Sequence, residues 1–161
     1  TLRVAIADRA LRIELVGGGS WELPVGPLSL VEHQLEGADV LLPEQLTNAL
    51  GFVTDHLDDV IRDAPIVLDA VDLAVTGDHA VAVARVELGM SDVPGDYRLD
   101  RADADEVFRT LVAEPIAERR HNPGLAEDDV TSVIGALCCV LALLRRFERT
   151  DLAVAGADED T

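Results

Sequence analysis

The residues able to do chemistry in this chain are few and scattered. Asp78 and His79 are adjacent, and a carboxylate beside an imidazole is the pattern of a general base whose ring the acid orients. No nucleophile or third partner accompanies them. His33 beside Glu32, and His56 three residues before Asp59, are half-sites for a metal ion, yet the same spacing also describes a solvated ion pair on a surface. Arg9 and Arg12 follow Asp8 and either contact an anion or face outward from a turn and a strand. Cys138 and Cys139 are adjacent inside an apolar run, where they read as small buried hydrophobes and not as a disulfide or metal pair. No metal centre is expected.

These side chains must be positioned by alternating strands and helices. Leu2, Val4 and Ile6 alternate with polar or small residues, Asp8-Arg9-Ala10 turns, and Leu11, Ile13 and Leu15 alternate again, which is a hairpin by period. The glycines of Gly17-Gly18-Gly19-Ser20 supply the positive φ of a second turn, and Trp21, Leu23 and Val25 continue a third strand. A short helix over residues 27–34 and a loop over 37–42 follow. Pro43 then opens a strong helix whose Leu46, Leu50, Val53, Leu57, Val60 and Ile61 share a face. A fourth strand over residues 72–76 passes through Gly77-Asp78-His79 into a helical segment ending near Leu88. The loop 89–98 contains Pro94-Gly95. Asp100 caps an amphipathic helix, Pro115 opens a short one, and Asp128 or Asp129 caps a long apolar helix that ends in Arg145 and Arg146. A fifth strand spans residues 151–155. The order β-β-β-α-β-α-β predicts one α/β domain over residues 1–157 with a mixed five-stranded sheet, and residues 158–161 form an acidic tail.

Composition sets outer bounds. A chain of 161 residues, 48% apolar, suits one domain that buries roughly two thirds of its unfolded surface. Against 31 acidic residues stand 13 basic ones, all arginine, for a formal charge of −18. Such a surface repels nucleic acid and anionic membranes, so neither is expected as a partner. The lack of lysine reflects either a GC-rich genome or a salt-rich cytoplasm. The unpaired cysteines imply a reducing compartment, residues 1–10 lack the apolar stretch of a secretory signal, and the apolar run 130–144 is shorter than a membrane span. A cytoplasmic protein is the expectation. The chain opens on Thr1 in place of Met, which reads as a trimmed or excised domain.

Taken together, these pieces resemble one lobe of the actin-like, ribonuclease H-like ATPase fold. They are similar in particular to the C-terminal lobe of the exopolyphosphatase/guanosine pentaphosphate phosphatase (Ppx/GppA) family. Leu23-Pro24-Val25-Gly26 followed by Leu30-Val31-Glu32 looks like the family's third strand and short helix. Asp96-Tyr97-Arg98-Leu99 with Arg101-Ala102-Asp103 is similar to the segment opening its later helices. Ala117-Glu118-Arg119-Arg120, Pro123-Gly124-Leu125 and Gly135-Ala136 match the run into its long helix.

The resemblance implies a Gly-rich loop whose N–H groups cradle phosphate beside carboxylates that position a cation and water. It also implies a second lobe that completes the site. Two registers for that loop compete. Either Gly17, Gly18, Gly19, Ser20 and Glu22 are the loop, which leaves no strand for residues 2–7, or the segment from Asp8 through Arg9 and Arg12 to Glu14 has replaced it. The second is favoured because it keeps three strands. The family's next phosphate turn falls on Gly77-Asp78-His79, where Asp78 is expected to cap the helix N–H groups that a phosphate would use. On this view no residue is catalytic and Mg²⁺ is needed only if phosphatase activity survives. The chain then acts as a degenerate lobe that pairs with a second lobe or with itself. Half of an active exopolyphosphatase or (p)ppGpp phosphohydrolase, and a protein-interaction module on an actin-like scaffold, are the alternatives.

Overall fold

The computed structural model describes residues 1–36 and 39–155. Part of the loop 37–42 and the acidic tail 158–161 fall outside them. Residues Leu2–Ile6 form β1, Leu11–Leu15 β2, Ser20–Leu23 β3, Leu73–Thr76 β4, Arg98–Asp100 β5 and Asp151–Ala155 β6. They build one sheet in the order β3-β2-β1-β4-β6-β5. The first three strands are consecutive antiparallel neighbours, β1, β4 and β6 run parallel, and β5 lies antiparallel to β6.

The sheet thus has six strands where periodicity predicts five. The extra strand contains only three residues, too few for alternation to announce it. It forms because Leu99 enters the core and Arg98 bonds the Asp151 carboxylate at 3.0 Å on the neighbouring strand. Arg98 also reaches Asp72 at 2.8 Å, tying the entrance of β4 to the sheet edge and holding both carboxyls below their usual range. The third strand stops at Leu23, ahead of Pro24, although Val25 remains fully buried.

Alternation sends Leu2, Val4, Ile6, Leu11, Ile13, Leu73, Val75, Leu152 and Val154 to one buried face. Helices α1 (Pro27–His33), α2 (Pro43–Asp63), α3 (Asp78–Leu88), α4 (Arg101–Val112), α5 (Ile116–Arg119) and α6 (Ser132–Arg146) complete the fold. α2 buries Ala49, Val53, Leu57, Val60 and Ile61, a 3–4 spacing, whereas Leu46 and Leu50 pack at its margin. Trp21 on β3 donates from Nε1 to Asp63 at the end of that helix, 2.7 Å away. The opposite face of the sheet bears exposed Arg3, Arg12, Glu14 and Glu22, and a floor of Ala5, Ala74 and Ala153 over the parallel strands.

α6 is the centre of the molecule. Every residue from Ser132 to Leu144 is buried, and it packs against α1, α2, α3 and α4. Burying each large aliphatic side chain contributes about 1.5–3 kcal/mol, so this helix dominates the hydrophobic stabilisation. Its start differs from expectation. Asp128 and Asp129 sit in a short 3-10 turn, Glu127–Asp129, and the N-cap is Thr131, which makes no side-chain cap bond. Beneath that turn lies Arg119, only 1% exposed, whose guanidinium donates to the carbonyls of Leu111, Glu114 and Val130 at 3.1–3.3 Å. Burial lowers its pKa, and three carbonyl acceptors replace the water it has lost.

Gly135 lets α6 approach α1, because a Cβ there would lie 2.4 Å from the Pro27 carbonyl oxygen. Gly51 on the exposed side of α2 has nothing within 4 Å of its Cβ position. Gly135→Ala is therefore expected to destabilise the fold by about 1–3 kcal/mol through overpacking. Gly51→Ala is expected to stabilise it by roughly 0.5–1 kcal/mol through helix propensity. Urea denaturation at neutral pH measures both, and equal shifts of the same sign would contradict the packing described.

Candidate functional site

In open α/β sheets ligands bind beyond the carboxyl ends of the parallel strands. Here that edge is formed by the turn after β1 and the turn after β4. The first is tight: Ala7 N–H donates to the Ala10 carbonyl at 2.9 Å, leaving Asp8 and Arg9 at its tip. Gly26 is what allows it to pack, since a Cβ there would stand 2.6–2.8 Å from the Ala7 and Asp8 carbonyl oxygens and the Ala10 nitrogen. The Asp8 carbonyl accepts from Leu28 N–H at 2.8 Å. The second turn is Gly77, at φ +102°, a conformation that suits glycine, and its Cβ position lies 3.0 Å from the Ile6 carbonyl oxygen.

Across these turns Asp8 Oδ1 and His79 Nε2 are 2.7 Å apart. The partners are 71 residues distant in sequence, and the His79 side chain is only 12% exposed. The carboxylate that orients His79 is therefore Asp8 and not the adjacent Asp78. Asp78 is the first residue of α3, and the N-cap, Gly77, has no side-chain cap bond, so the expected capping by Asp78 is corrected. The helix start is instead surrounded by acid. Asp129 from the 3-10 turn feels His79, Arg85, Asp128 and Asp78, and burial pushes its carboxyl above the ordinary range although His79 and Arg85 act to lower it.

The remaining candidates separate. Arg9 is bonded to Glu32 on α1, and Arg12 to Glu22 at 2.8 Å on the open face of the sheet, so both arginines near the first turn already face carboxylates. Glu14 lies on the same open face. Gly17, Gly18, Gly19 and Ser20 close the β2–β3 hairpin at the opposite end of the sheet, where Val16 N–H meets the Thr1 carbonyl. They do not share an edge with Gly77, Asp78 and His79. A groove of about 420 Å³ on the open face is lined by Arg3, Arg12, Glu14, Glu22 and Thr76 among others.

The metal half-sites remain apart. His33 Nε2 is 3.9 Å from Glu32 on an exposed surface, His56 meets the Phe52 ring edge-on at 4.9 Å, and Asp59 bonds Arg62. Among the described residues no three His, Cys, Asp or Glu side chains converge as a metal site. Both cysteines are free and buried, and loss of water pushes the Cys138 thiol up to about 12. No helix among the described residues is long and apolar enough to cross a membrane.

The fold is that of one lobe of an actin-like α/β protein. It is shared with Ppx/GppA exopolyphosphatase-like proteins of known structure. An exopolyphosphatase-like protein superposes with a TM-score of 0.83 at 19% identity, over 96% of this chain and 54% of that one. The Ppx/GppA phosphatase of Aquifex aeolicus, type II variant, gives 0.81 at 16% over 96% and 52%. An exopolyphosphatase from Cytophaga hutchinsonii gives 0.76 at 15% over 96% and 52%. The chain thus spans about half the length of these structures, and at such identities the likeness concerns the fold alone. No family model matches the sequence, and neither does any curated protein.

Two measurements test the site. In a double-mutant cycle, Asp8→Ala and His79→Ala are expected to show a coupling of about 0.5–1 kcal/mol, as for a hydrogen bond with one exposed partner. Strict additivity would remove the bond from the account. Asp129 has a raised folded-state pKa, so its contribution to stability is complete below the unfolded value of 3.8 and is lost as pH rises through the folded value. Between pH 3.8 and that folded value, Tm should therefore fall less with rising pH in Asp129→Asn than in the parent chain, and identical profiles would contradict the burial of this carboxyl.

Proposed function

We propose that this chain is a Ppx/GppA-like lobe whose phosphate-binding turns have been closed, and that it acts by pairing with a companion lobe or a second copy and not as an enzyme on its own. The observation that carries this reading is the Asp8–His79 bond across the carboxyl ends of β1 and β4. A phosphate approaching the start of α3 meets Asp8, Asp78, Asp128 and Asp129, while His79 is bonded to Asp8, Arg9 to Glu32, and Arg85 donates to the Ser91 carbonyl. Like charge at this density repels an anion, and a net charge of −18 deepens the repulsion. The turn after β1 has no run of glycines to offer bare N–H groups, and its backbone is backed by Gly26.

The pairing half of the proposal is supported by length, since the superposed structures continue for roughly as many residues again. The same observation favours a second reading, in which the lobe is half of an active exopolyphosphatase or (p)ppGpp phosphohydrolase and the water-activating carboxylate lies on the companion. Hydrolysis of polyphosphate or guanosine pentaphosphate by the chain joined to its companion lobe, with Mg²⁺ or Mn²⁺ supplied, would establish that alternative.

Isothermal titration of the chain with polyphosphate, ATP and guanosine tetraphosphate is expected to give no binding heat. Micromolar affinity for any of the three overturns the closed-turn reading. Light scattering across a concentration series addresses pairing with itself: a mass that rises toward twice 17.2 kDa is the expected result for self-pairing, and a constant monomer mass leaves a companion lobe as the required partner.

A further inference from the structure

We draw no further inference here: the strongest candidate, the trough on the open face of the sheet floored by Ala5, Ala74 and Ala153, is an unpartnered face, and nothing in the structure shows what covers it.

Discussion

A helix with no polar face has to be enclosed on all sides, and α6 imposes that demand on everything around it. From Ser132 to Leu144 it presents only buried residues, so α1, α2, α3 and α4 must surround it on the side away from the sheet. The approach of α1 is as close as backbone permits, because Gly135 places no carbon against Pro27. Once those contacts are made, little freedom is left for chemistry inside the molecule. The cysteines within α6 are sealed as thiols, and the one buried cation among the described residues, Arg119, is consumed by carbonyls that end α4 and precede α6. Reactive groups are thereby confined to the strand ends and the open face of the sheet.

The strand ends illustrate how backbone frame and side-chain surface are set by different residues. Gly26 and Gly77 keep two turns in close register with β1, and this is a property of backbone packing. What occupies the space above them is a property of side chains, and there a carboxylate and an imidazole have been brought together. Backbone geometry tolerates many side-chain solutions at such an edge, so fold and activity are separable.

Much of the frame was legible before any coordinates. The alternation in residues 2–6 and 11–15 predicts a hairpin, the three glycines at 17–19 predict its neighbour, and the apolar run after residue 130 predicts a buried helix. What escaped was either too short or too distant. β5 has three residues and no period. Asp128 and Asp129 carry the composition of a cap but were drawn into a 3-10 turn over Arg119, so the helix begins later at Thr131. Arg119 itself sits in a charged stretch, Glu118-Arg119-Arg120, and only the converging carbonyls of Leu111, Glu114 and Val130 explain its burial. The Asp8–His79 contact joins residues far apart in the chain, and nothing local at Asp8 announces it. The adjacent Asp78 offered a nearer carboxylate, but as the first residue of α3 it leaves that role to a residue from another strand end.

The lone tryptophan of the chain turns this architecture into an optical instrument. Its indole nitrogen is committed to Asp63, so the edge strand and the end of the longest helix share one hydrogen bond. Any event that peels β3 from the sheet or frays that helix changes the polarity around a single fluorophore. Its emission therefore reads the integrity of one corner of the lobe, with no second indole to blur the signal.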